Sequence, residues 1–194
     1  MTAAQAHIGP WTVHDLLALP EDGNRHELVD GALVMNPPPS PAHQMTSGYL
    51  YRMLSAAAER AQAAVRVIEA VGVQIDDSVL VPDLAVVSED AASLSAPVLD
   101  KDDVSLVVEI VSPGSAARDR TEKPYLYAEA AIPHFWRIET SDYRGRDKPL
   151  PVIHAYELVG IAEYGPARII GAGERFASDD PIVIGFDPAE LVRQ

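Results

Sequence analysis

Apolar and polar positions follow two periods along this chain, and each switch between them marks an element. Val13 to Leu19 reads as a short helix that Thr12 can cap and that Pro20 and Gly23 stop. His26 to Val29 and Ala32 to Met35 flank Asp30-Gly31, the dipeptide best suited to a type I′ turn, so a tight β-hairpin is expected. Pro37-Pro38-Pro39-Ser40-Pro41 forces an extended lead into a long helix from about Pro41 to Ala64. Met45, Tyr49, Met53 and Ala57, at four-residue spacing, describe its apolar face. From Val65 the texture becomes short β-branched runs, Val65 to Ile75, Val79 to Val87 and Val104 to Val111, which read as central strands. Ser88 to Asp103, acidic and alanine-rich, reads as an exposed loop. A second helix begins around Arg120 or Thr121, placing Pro124 in its first turn, and ends near Ile132-Pro133. Strands are expected again at Phe135 to Glu139, Val152 to Leu158, Arg168 to Ile170 and Pro181 to Ile184, with Tyr127 and Trp136 as core residues packing the second helix on the sheet. The order of elements indicates α/β or α+β with a mixed sheet.

Composition narrows what such a fold can do. With 194 residues, 47% of them apolar, one domain over 1–194 is expected. The net charge is −14, which disfavours a protein that coats nucleic acid through a basic surface; any phosphate partner must be met locally. The absence of cysteine removes disulfides, Cys-ligated metal sites and thiol nucleophiles, and fits a reducing cytoplasm. Gly31 to Tyr51 lacks charge but contains four prolines, so it is no membrane span. Met1 to Pro10 lacks the basic start and apolar run of a secretion signal, so a cytoplasmic location is expected.

Two carboxylates interrupt otherwise apolar strands: Asp83 in Val81-Pro82-Asp83-Leu84-Ala85, and Glu109 in Val107-Val108-Glu109-Ile110-Val111. Removing an ionised carboxylate from water costs several kcal/mol unless a cation or donor compensates, so the pair suggests a shared cation. Hard oxygen donors suit Mg²⁺ or Mn²⁺, and two carboxylates with water and substrate phosphate can complete a shell. Each residue also has a structural reading: Asp83 can accept backbone hydrogen bonds at a strand entrance, and Glu109 can pair with an arginine. Lys123, at the start of the helix leaving the Glu109 strand, can hold or activate a water and stabilise charge on a phosphoryl group. Its alternative is an i,i+4 pair with Asp119, worth about 0.2–0.5 kcal/mol on an exposed helix.

The ordered set His26-Glu27-Leu28-Val29-Asp30-Gly31, Pro39-Ser40-Pro41-Ala42-His43-Gln44, Val81-Pro82-Asp83, Val108-Glu109-Ile110-Val111-Ser112-Pro113, Asp119 to Lys123 with Tyr127, and Ile132-Pro133-His134-Phe135-Trp136 resembles the Uma2 family of restriction-endonuclease-like proteins. The resemblance spans a core of about residues 12–187. It implies the PD-(D/E)XK nuclease superfamily, with a mixed central β-sheet flanked by helices, Mg²⁺ as cofactor and DNA as substrate. It implies Asp83 as the aspartate of the "PD" element and Glu109 as the acidic residue of "(D/E)XK". The superfamily's lysine two positions on is replaced by Val111, and the Uma2-like pattern supplies it from the next helix as Lys123. It further implies the Ile110 backbone carbonyl as a metal ligand and Glu27 as an acidic residue at the pocket edge, the latter with Arg25 or Arg52 as alternative partners. Asp119 and His43 are second-tier candidates, His43 having a cap or surface role as its alternative.

No phosphate loop, dinucleotide fingerprint, metalloprotease motif or nucleophile elbow is present. Eight of the 15 basic residues lie between Lys101 and Lys148, around Glu109. They read either as a local phosphate-facing surface or as a solvated, self-paired one. A Mg²⁺-dependent endodeoxyribonuclease with weak, salt-sensitive DNA affinity is the first reading. A nuclease-like fold kept as a binding or regulatory module is the second. A homodimer is expected, because a small nuclease domain cuts a duplex most simply as a pair.

Overall fold

The computed structural model describes residues 9–20, 23–91 and 96–192. The reading of the first residues as free of a secretion signal, and the middle of the 88–103 segment, fall outside the described residues. Thr12 caps α1 (Val13–Leu17): its side chain accepts the Asp15 N–H while the Asp15 carboxylate takes the Thr12 N–H. β1 (Arg25–Val29) and β2 (Ala32–Asn36) form the expected hairpin, with Asp30 at φ 49° and Gly31 at φ 76°, the left-handed pair a type I′ turn demands. Ser40 caps α2 (Pro41–Ala61), which stops at Gln62 in the left-handed conformation, short of Ala64.

Two of the expected runs are each broken into two strands. Val65 to Ile75 divides into β3 (Val65–Glu69) and β4 (Val73–Ile75) at Ala70, whose φ is 52°. Val79 to Val87 divides into β5 (Ser78–Leu80) and β6 (Leu84–Ser88) around Pro82, which has no N–H to give a ladder. The loop expected over Ser88 to Asp103 contains β7 (Leu99–Asp100), with Leu99 buried, followed by β8 (Val104–Val111) as read from the sequence. A single π-helical turn, Arg118–Glu122, then leads into α3 (Lys123–Glu129), with Pro124 in the first turn. β9 (His134–Glu139), β10 (Val152–Glu157) and β11 (Arg168–Gly171) follow. The strand expected at Pro181 to Ile184 is displaced: β12 (Phe176–Ser178) pairs with β13 (Ile184–Phe186), so the ladder begins beyond Pro181.

The central six-stranded sheet has the order β11-β10-β9-β8-β6-β3 and is mixed, since β8 and β9 run parallel while the other neighbours are antiparallel. A five-stranded sheet, β2-β1-β5-β4-β7, stands beside it, so β4 and β5 are not strands of the central sheet. One face of the central sheet presents Leu84, Val86, Leu106, Val108, Ile110 and Ile138 to α2. The other presents Ala85, Val87, Val107 and Phe135 to α3 and to Val29, Val73 and Leu80 of the second sheet. Glu109 alternates with Val108 and Ile110 and so shares the α3 face with Val107.

The structure corrects two expectations about packing. The buried stripe of α2 is Leu50, Leu54, Ala57 and Ala58; of the expected face Ala57 is buried and Met53 packs at the edge of the core, whereas Met45 is 51% exposed. Two stripes at four-residue spacing run side by side on this helix, and the one carrying the leucines faces the sheet. Trp136 is buried in the α2-side core, edge-on to Phe176, while Tyr127 packs from α3 against the opposite face. Among the described residues no helix is long and apolar enough to cross a membrane. Leu54→Ala is expected to lower unfolding free energy by about 2–5 kcal/mol in denaturant titrations, and Met45→Ala to change it by less than about 0.5 kcal/mol. Equal losses would contradict this assignment of the α2 face.

Candidate active site

The site forms where the register of the central sheet runs out. Leu84 pairs with Val108, so continuing that antiparallel register sets Pro82 opposite Ile110. Pro82 has no N–H, and both peptide groups of Ile110 turn to side chains instead. The Ile110 N–H donates to Asp83 Oδ2 at 2.8 Å, and His43 Nε2 lies 2.9 Å from the Ile110 carbonyl oxygen. His43 Nε2 is also 3.1 Å from Asp83 Oδ2, and because both partners accept, the proton sits on Nε2. Arg25 reaches Asp83 Oδ1 at 3.2 Å from β1. His43 is thus no surface group, although it begins a helix: its side chain is largely buried against Asp83.

On the same face, Lys123 and Tyr127 stand one helical turn apart on α3 and both point at Glu109. Lys123 Nζ is 2.8 Å from Glu109 Oε1, 3.1 Å from Glu27 Oε1 and 3.7 Å from Asp119 Oδ1. The Lys123–Asp119 pair is therefore real but buried, a different situation from an exposed helical pair. The Tyr127 hydroxyl donates to the same Glu109 Oε1 at 2.7 Å. Glu27, wholly buried, accepts the Val81 N–H at 2.9 Å and pairs with Arg118 at 2.8 Å, not with Arg25 or Arg52.

Asp83, Glu109, Lys123, His43 and Asp119 line one cleft of about 210 Å³, with Glu27 directly behind Lys123. Pro37 to Ser40 form one wall and Ser112 to Ser115 the other. The walls meet closely: a Cβ on Gly114 would stand 3.3 Å from Pro37 Cγ. All the sequence-derived candidates are thereby brought together, including the carbonyl of Ile110. Arg25, Arg118 and Tyr127 were not among them. Tyr127, read as core, carried a usable signal, since its four-residue offset from Lys123 places both on one helix face; the long-range arginine contacts carried none.

Burial acts on every charge here, and the neighbours decide the outcome. Burial drives the Glu109 pKa up to about 8; Lys123 opposes the rise, but Asp119, Asp83 and Glu27 add to it. Burial also works against the charge of Lys123, yet Glu109, Glu27 and Asp119 outweigh it and hold the ammonium well above its ordinary range. Asp83 and Glu27 lie below theirs: against burial, Asp83 has His43 and the Ile110 N–H, and Glu27 has Lys123, Asn36 and Val81. Among the basic residues from Lys101 to Lys148, Arg118, Arg120, Arg137, Arg146 and Lys148 hold carboxylates, Arg120 gripping Glu139 through two bonds of 2.9 and 2.8 Å. The self-paired reading of that segment is the one observed.

A folded-state pKa raised as in Glu109 contributes stability that is complete below the unfolded value near 4.5 and is lost as pH rises through about 8. Glu109→Gln, which keeps the neutral shape, is therefore expected to gain in melting temperature over wild type as pH rises from 4.5 to about 8 in chelator-treated protein. A difference that does not change with pH would contradict this protonation.

Residues 13–187 match a family described as "Uma2: Putative restriction endonuclease". Among solved structures, the chain is similar to a "putative nuclease belonging to DUF820" from Anabaena variabilis. The two share 15% identity over 94% of this chain and 98% of that one, with a TM-score of 0.74, a likeness that bears on the fold. No curated protein matches the chain. Since the family match runs from α1 to just beyond β13, this chain belongs to the Uma2 family.

Proposed function

We propose that this chain is a metal-dependent DNA endonuclease whose working groups are Asp83, Glu109 and Lys123. The observation that carries the reading is the meeting of the Asp83 carboxylate at a strand entrance, the Glu109 carboxylate of β8 and a helix ammonium in one narrow cleft, with the Ile110 carbonyl held beside it by His43. The donor set fits a hard divalent cation. Asp83, Glu109 and the Ile110 carbonyl supply oxygens only, and Mg²⁺ keeps several waters when bound by one or two carboxylates. Among the described residues no three His, Asp or Glu side chains form a ready ligand group, and the proposed shell asks for only two carboxylates. Bound there, Mg²⁺ or Mn²⁺ would supply Lewis-acid polarisation of the scissile phosphate and a more acidic water.

The chain's own residues do the rest. Lys123, held among the side chains of Glu109, Glu27 and Asp119, stays an ammonium, so its part is donation to charge developing on the phosphoryl oxygens rather than proton abstraction. Arg25, at the cleft edge on Asp83, is a cation that a phosphate can meet on entry. A net charge of −14 and the self-paired arginines support weak, salt-sensitive DNA affinity. Homodimerisation and a cytoplasmic location belong to the same proposal. The same charge balance favours the second reading, a nuclease-like fold acting as a binding or regulatory module.

Nicking of supercoiled plasmid separates the two. Wild-type protein is expected to nick with Mg²⁺ or Mn²⁺ and to stop on chelation, with Asp83→Ala, Glu109→Ala and Lys123→Ala each slower by about 100-fold or more. Absence of nicking by wild type, or variants that cut as wild type does, would reject the enzyme reading.

A further inference from the structure

Glu109 has two oxygens and an asymmetric set of partners. Both of its donors, Lys123 Nζ at 2.8 Å and the Tyr127 hydroxyl at 2.7 Å, take Oε1. Oε2 has no hydrogen-bond partner among the described residues, and Glu109 lines the cleft. Lys123 alone cannot fix that orientation, because its ammonium is shared with Glu27 and Asp119 and can lean toward either. Tyr127 answers to Glu109 alone. Its ring is wholly buried and held against Phe135 at 5.7 Å between centroids, so the hydroxyl has one place to point.

We propose that Tyr127 is a positioning residue for metal binding: by holding Oε1 of Glu109 from behind, it presents Oε2 to the cleft as the ligand oxygen. The proposal rests on the reading of this cleft as a divalent-cation site. Lys123 supplies charge to the carboxylate and Tyr127 supplies direction. Groups that orient a ligand without touching the metal typically change metal affinity by about 10–100-fold when removed.

The test is Mn²⁺ binding to the chelator-stripped full chain by titration calorimetry, without DNA. Tyr127→Phe is expected to weaken binding by about tenfold or more. Tyr164→Phe removes a partly buried hydroxyl of the same aromatic cluster, one bonded to the Ile132 carbonyl and not to Glu109, and is expected to bind as wild type does. In a Glu109→Gln background, Tyr127→Phe should add little further loss. If Tyr127→Phe does not fold, wild-type protein labelled with ¹³Cζ-tyrosine serves instead: Mg²⁺ should shift the Tyr127 resonance and leave that of Tyr164 in place. Wild-type affinity in folded Tyr127→Phe, or a Tyr127 resonance indifferent to Mg²⁺ that binds, would overturn the role of the tyrosine alone. Wild-type protein that binds no Mn²⁺ would overturn the cation site and this proposal with it.

Discussion

One buried ammonium organises this protein. Lys123 is 4% exposed and lies among Glu109, Glu27 and Asp119, which come from a strand of the central sheet, a strand of the second sheet and the turn before its own helix. Burying any one of these charges alone would cost several kcal/mol, and removing one partner of such a pair typically costs about 3–5 kcal/mol. The cluster is therefore maintained only while both sheets and α3 keep their relative places. Fold and site are one constraint seen from two sides.

The local chemistry that opens the cleft is equally specific. A proline opposite Ile110 ends the ladder between β6 and β8, and the peptide groups so released are taken by Asp83 and His43. A residue with an N–H at position 82 could continue the ladder and close the gap in which the cleft sits. Strand alternation then sends Glu109 to the α3 face while its neighbours Val108 and Ile110 pack beneath α2. The π-helical turn ahead of α3 carries Arg118, Asp119 and Arg120, so one irregular segment reaches Glu27, Lys123 and Glu139 together.

Much of this was legible in the sequence because it rests on local rules. The Asp30-Gly31 turn, the Thr12 and Ser40 caps, Pro124 in a first turn and the limits of β8 follow from backbone chemistry that needs no distant partner. Asp83 and Glu109 stood out because a carboxylate inside an apolar run violates burial energetics, although Asp83 proves to sit just ahead of β6, where it accepts the Ile110 N–H. Lys123 was marked by its place at the start of the helix that leaves the Glu109 strand, and the resemblance then matched it to the lysine missing at Val111. What was missed depends on long-range placement. Four-residue spacing on α2 admits two stripes, and only the sheet selects the one with Leu50 and Leu54. Trp136 and Tyr127 could be called buried, but not assigned to opposite faces, before the parallel pairing of β8 and β9 was known. The pairing of Arg118 with Glu27, distant in sequence, has no local trace.

The self-neutralised cluster also bears on how such an acidic chain would meet DNA. Its positive charge is scarce and mostly paired, so recognition on the proposed reading would depend on a few groups at the cleft edge, among them Arg25 on Asp83, rather than on a charged surface. The most direct measurement is side-chain NMR of the ¹⁵N-labelled lysines across pH, tractable because the chain has only Lys101, Lys123 and Lys148. The account predicts that Lys123 is the last of the three to lose its proton as pH rises. A Lys123 amine that turns neutral before the two surface lysines would contradict it.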